Sequence, residues 1–169
     1  MEQAMRVGGV FEFELVRDGK VIDRWKEKNL VVDEGLNHLL NVVLHGTTQI
    51  TTWYLGLFES DSTPASNATA AVPGFTESTA YDEATRVEWD EADAGSTAKS
   101  ITNGTGAGAN KATFTISATK TIYGAFMASG SAKSAVTGVL FAASRFSAAR
   151  SVVDNDQLIV TYTVQAASA

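Results

Sequence analysis

The sequence predicts a mainly β protein: an antiparallel β-sandwich, jelly-roll or immunoglobulin-like, with about eight strands and one short helix. Three observations carry that expectation. Segments of alternating apolar and polar residues recur along the chain, a single stretch has helical spacing, and there is neither regular βαβ alternation nor a repeat of fixed period. With 169 residues, 44% apolar and 19% charged, the chain can bury a core and lies far from the composition of disordered proteins. It reads as a single domain over residues 1–169.

The run Val10-Phe11-Glu12-Phe13-Glu14-Leu15 puts Phe11, Phe13 and Leu15 on one face and two glutamates on the other, the pattern of a half-buried strand. Asp18-Gly19 supplies a positive-φ pair for a tight hairpin, and Lys20–Lys28 returns as a second strand with one wet face. Asp33 is read as an N-cap. Leu36, Leu39, Leu40, Val43 and Leu44 then follow at helical spacing and Gly46 ends the run, which predicts a helix near 34–45 with His38, Asn41 and His45 on its polar side.

The run 53–58 is apolar on both faces, as an inner strand is, and Gly56 marks a place where a large ring or another backbone passes close. Residues 60–80, rich in Ser, Thr and Ala and containing Pro64 and Pro73, read as a long loop, either an interaction element or a flexible excursion. A strand over 85–90 points Val87 and Trp89 inward and Arg86, Glu88 and Asp90 outward. Residues 92–110, a Gly, Ala, Ser and Thr tract containing Asn103-Gly104, read as an exposed, mobile loop. Strands over 111–117, 121–128, 136–143 and 157–164 complete the count. The middle two are so uniformly small and apolar that both of their faces should be covered.

Composition narrows the function classes. Cys is absent and His occurs only twice, so thiol chemistry has no candidate and imidazole chemistry very few. A net charge of -6 argues against a general nucleic-acid binder. No apolar run has the length of a signal peptide or a membrane span, which leads to the expectation of a soluble protein made in the cytoplasm. Acids crowd residues 59–93, opposed there only by Arg86, whereas bases dominate after Ala94. Such asymmetry suits either solvated loops or the meeting of one copy's acidic side with another's basic side.

No catalytic constellation emerges. His38 and His45 are seven residues apart, about two helical turns, rather than the four of a helical metal pair. The tract Gly104-Thr105-Gly106-Ala107-Gly108 lacks the closing Gly or Lys of a phosphate loop, and Ser144 lacks the flanking glycines of a nucleophile elbow. Carboxylates in 77–93, with Glu77, Glu83, Glu88 and Glu91 foremost, are the remaining candidates for an acid pair or a cation site, although Asp90-Glu91-Ala92-Asp93-Ala94-Gly95 has Ala at two ligand positions of a calcium loop. Trp25, Trp53 and Trp89 lie on strand patterns that favour core packing, with a sugar-stacking role left open for Trp25. The expectation is a protein that is not an enzyme and has no cofactor, catalytic residue or metal site.

The run Asn29-Leu30-Val31-Val32-Asp33-Glu34-Gly35-Leu36-Asn37-His38-Leu39-Leu40, then Trp53-Tyr54-Leu55-Gly56-Leu57-Phe58, resembles small structural proteins of tailed bacteriophages. The similarity continues through Phe75-Thr76-Glu77, Tyr81, Arg86, Trp89, Gly124-Ala125-Phe126 and Leu140-Phe141. The resemblance implies a virion component assembled in the host bacterial cytoplasm, of the head decoration or cement type. Its implied partners are the major capsid protein or another virion protein, with homo-oligomers on the particle and no direct contact with nucleic acid or membrane. A tail adaptor or fibre-associated protein is the next reading, and a carbohydrate-binding domain the third. The candidate partner contacts on the two loops and beside them are Pro64, Pro73, Phe75, Tyr81 and Asn103.

Overall fold

The computed structural model describes residues 5–92, 99–105 and 110–168. They form two antiparallel sheets, as expected of a β-sandwich, with one helix. In chain order the elements are β1 (Met5–Arg17), β2 (Lys20–Lys28), β3 (Leu30–Val31), α1 (Asp33–Leu44), β4 (Tyr54–Phe58), β5 (Glu77–Ser78), β6 (Val87–Glu88), β7 (Ser100–Thr102), β8 (Ala112–Thr115), β9 (Lys120–Ala128), β10 (Leu140–Val152) and β11 (Gln157–Ser168). One sheet has the order β2-β1-β11-β7 with β8 also on β11; the other runs β3-β10-β9-β4-β5 with β6 also on β4. The chain crosses between sheets after β2, β6, β8 and β10.

The hairpin joining β1 and β2 is as predicted, with Asp18 and Gly19 both at positive φ, 52° and 72°. Its inward residues Phe11, Phe13 and Leu15 meet Leu158, Val160 and Tyr162 of β11 in the space between the sheets, and Leu55, Leu57, Ala125 and Met127 approach from the second sheet. Trp25 is buried there too, stacked on Phe13 at 4.9 Å with the Arg150 guanidinium over its ring at 4.5 Å, which removes it as a sugar platform.

The second sheet is covered on both faces, as the small apolar strands anticipate. Phe58, Phe126 and Ala128, with Leu140 and Ala143 on either side of a register shift in β10, point away from the inter-sheet core into a second cluster, closed by Val32, Ala68, Ala70 and Phe75. Two glycines make room for the rings. Gly56 faces Phe126 across the β4/β9 pair and Gly124 faces Phe58, and a Cβ on either would stand 2.3 Å or less from the opposing ring.

Several expectations are corrected. Residues 60–80 are not a free excursion: Pro64, Ala68 and Ala70 are buried and the segment is the outer cover of the second sheet. The tract 92–110 carries β7, which pairs with β11, and Asn103 within it is fully buried; Gly106 to Gly108 and the neighbouring Asp93 lie outside the described residues. The strand expected over 136–143 begins only at Leu140, after a turn with Ser134 and Gly138 at positive φ, and runs on to Val152 past a register shift between Arg145 and Arg150. Among the described residues the strands number eleven rather than about eight, since β3, β5 and β7 carry no readable alternation over two or three residues.

The helix starts differently. Its N-cap is Val32 with no side-chain cap bond, and Asp33 is the first helical residue, where its charge still suits the helix N-terminus. The end is as expected, with Gly46 at φ 72°. Its apolar stripe is the larger surprise. Gly35 is the one buried residue of α1, packed so closely on the Phe141 carbonyl that a Cβ would lie 2.4 Å away, whereas Leu40, Val43 and Leu44 are 47%, 68% and 78% exposed. His38 is half-buried against Trp53 rather than on a wet face.

Candidate interaction surfaces

Alternation on β10 defines two surfaces. Leu140 lines one cavity on the outer side of the second sheet, and Phe141, the next residue, lines another on the helix side.

The first, of about 320 Å³, is a shallow dish whose walls include Phe75, Pro73, Phe126, Val136 and Leu140. Its base holds the Glu77–Arg86 ion pair, 8% and 4% exposed. Arg86 donates from Nε to Glu77 Oε1 at 2.9 Å and from Nη2 to Oε2 at 2.7 Å, and its remaining reach goes to the carbonyls of Gly130 and Ala135 at 2.9 and 3.1 Å. The Ser134 N–H donates to the same Oε2 at 2.9 Å, and the guanidinium lies 5.0 Å from the Phe126 ring centre. A buried pair is tolerable only when its hydrogen bonds are this complete. It ties β5, the segment before β6 and the turn at 130–135 into one rigid rim.

Glu34 fastens the other side. Its Oε2 accepts from the Ala70 N–H at 2.8 Å and the Leu140 N–H at 2.6 Å, so the helix, the cover segment and β10 share one carboxylate. Tyr81, beside this region, is buried with its phenol pushed up from its ordinary value, first by burial and then by Glu77. Lys133 sits 3.8 Å over its ring and donates to its carbonyl at 2.6 Å.

The second surface is a groove of about 500 Å³ between α1 and the start of β1, floored by Met5, Val7, Ile101 and Val164 and walled by Leu40, Val43 and Leu44. It is almost wholly apolar, with Lys99 the charged residue on its border.

Of the five candidate contacts, only two reach a surface. Pro73 and Phe75 are half-buried and stand together on the wall of the dish, with Phe75 stacked on Phe58 at 4.6 Å. Pro64, Tyr81 and Asn103 are buried and serve the fold itself. Asn103 accepts from the Tyr162 N–H at 2.7 Å and donates to the carbonyls of Val160 and Asn110 at 3.1 and 3.2 Å, which replaces strand pairing where β7 and β8 part along β11. An Asn-Gly dipeptide reads locally as a turn, and only its burial against β11 shows the other role.

The carboxylates of 77–93 disperse. Glu77 pairs with Arg86, Glu83 accepts from the Thr115 N–H at 3.1 Å, and Asp90 bonds the Asn110 side chain. Among the described residues no three groups of metal-ligating type converge. Arg86, expected outward, was misplaced because strand alternation cannot register a buried salt bridge. Its isolation among nine acids was the available signal.

Comparison with known protein families and with curated proteins finds no match for this chain.

Proposed function

We propose that this chain is a structural virion protein of a tailed bacteriophage, a capsid decoration or cement protein that binds over contacts between major capsid subunits through the apolar dish. One observation carries the reading. Residues on which the phage resemblance rests, Phe75, Thr76, Glu77, Arg86, Phe126 and Leu140, are far apart in sequence yet together line this cavity.

The physical chemistry of the dish favours a docking role. Val72 and Val136 stand 71% and 60% exposed beside it, next to the half-buried Pro73 and Phe75, so apolar surface is offered to a partner on a frame already fixed by Glu77, Arg86 and Glu34. A preorganised surface loses little conformational entropy on docking. The cover segment therefore does not need to order on the capsid, as its composition alone suggests. Modest affinity at each site becomes secure attachment when several contacts act together on a lattice.

Purified protein mixed with expanded, undecorated heads should bind stoichiometrically and raise their disruption temperature, and Val136→Asp should weaken both effects while leaving the melting temperature of the free protein unchanged. Wild-type protein that leaves such heads bare removes the proposal. Binding confined to tails would transfer it to the tail-component reading.

A further inference from the structure

We infer that the groove between α1 and the start of β1 is a self-association surface, occupied by the α1 end of a second copy of this chain across a two-fold axis.

The helix is amphipathic, and while Leu36 packs against the core, the C-terminal part of the stripe is left uncovered: Leu40, Val43 and Leu44 project at 47%, 68% and 78% exposure, with Met5 at 60% across the groove. Among the described residues none covers it.

Three properties point to a second copy. The patch holds both a projection, Val43 with Leu44, and a recess beside it of about 500 Å³, and a two-fold contact requires a surface that is complementary to itself in this way. Leu40, Val43, Leu44 and Met5 together expose roughly 400 Å² around the groove, a size at which patches on a monomer are often functional. Doubled across the axis this approaches the roughly 1,000 Å² at which specific interfaces begin. Electrostatics selects the same face: copies carrying a net charge of -6 repel one another, and this surface has no acid and only Lys99 at its border.

The β1 edge adds to it. Asn29 N–H donates to the Gly9 carbonyl at 3.2 Å on the β2 side of β1, and β2 pairs no further than Val10. Backbone groups alternate sides along an antiparallel strand, so Val7 and Met5 turn theirs to the same side, beyond the end of β2.

Sedimentation of the full chain across a wide concentration range should give a monomer–dimer equilibrium, with the dimer at twice 17.9 kDa. Val43→Asp and Leu44→Asp, at exposed positions that spare folding, should each weaken dimerisation at least tenfold with an unchanged melting temperature. Because the chain has no Cys, a lone Leu44→Cys crosslinked by a short bismaleimide should give a covalent dimer. A monomer at every concentration overturns the inference, as does a dimer indifferent to both Asp variants or an oligomer of another order. The measurement needs no virus particle, so its failure and the failure of the decoration reading are separately visible.

Discussion

Arg86 brings a full positive charge into the interior, and its energetic role follows from what would be left behind without it. Replacing it with Met strands Glu77 as a buried carboxylate, an expected loss of about 3–5 kcal/mol in urea unfolding, whereas Glu77→Leu with Arg86→Met should cost much less than the sum of the single changes. Asp156 is the comparable residue at the opposite corner of the chain's path. It is 1% exposed and takes two bonds from Arg17, at 2.8 and 2.7 Å, and one from the Val153 N–H at 2.9 Å. The Arg17 hydrogen bonds hold its carboxyl below the usual aspartate range. A carboxyl depressed on folding stabilises the native state above the unfolded pKa of about 4, and that contribution disappears as pH falls through the folded value. Asp156→Asn should thus lower stability by roughly 2 kcal/mol at neutral pH and flatten the acid limb of the stability profile below about pH 4. An unchanged acid limb would refute the assignment. Neither role is legible locally: an Arg in an alternating run reads as outward, and an Asp in an Asp-Asn-Asp stretch reads as a turn.

At the scale of elements, the joints between α1, the cover segment and the sheets decide which changes matter. Glu34→Ala leaves the N–H groups of Ala70 and Leu140 without their acceptor and should cost about 2–3 kcal/mol, detected as early hydrogen exchange in residues 65–75. Asp33→Ala, one residue earlier, should cost no more than the roughly 0.3–1 kcal/mol of a helix-dipole interaction, because its side chain makes no cap bond. Gly56→Ala should destabilise by about 1–3 kcal/mol, since the Phe126 ring occupies the space a methyl group needs. Deleting residues 96–108 removes β7 and the Asn103 bonds to β11. The deletion is expected to disrupt folding, against the reading of that tract as an exposed, mobile loop, and a cooperative native-like melt would restore that reading. Alternation revealed β1, β2, β8 and β11, which bury one face, and continuous apolar runs revealed β4 and β9, which bury both. Of the short strands, β6 was legible from the alternation over 85–90, whereas β3, β5 and β7 had no period to read, and the Ser/Ala-rich second half of β10 had no contrast between faces.

For the whole molecule, a two-sheet core with a third layer over one sheet leaves two apolar surfaces open on different sides of β10. The dish is assembled from segments 70–77, 86, 126–140, and the groove from both ends of the chain with the helix. No local pattern announces either one. Six residues quoted for the phage resemblance line the dish, though nothing in their spacing indicates that they meet, and of the candidate contacts named from sequence only Pro73 and Phe75 stand on its wall.

By itself the sequence determined the secondary structure type, the β1–β2 turn, the helix and its end, and the double coverage of the small apolar strands. These depend on residue periods and backbone preferences that act over a few residues. Tertiary structure alone decided that Arg86, Tyr81 and Asn103 face inward, that residues 60–80 are a structural layer, and that Leu40, Val43 and Leu44 at the end of the α1 stripe face outward. Those outcomes depend on which distant segment supplies the opposing atom, a Glu77 oxygen, a Tyr162 N–H or the Phe141 backbone, and the spacing of residues along a chain does not encode that choice.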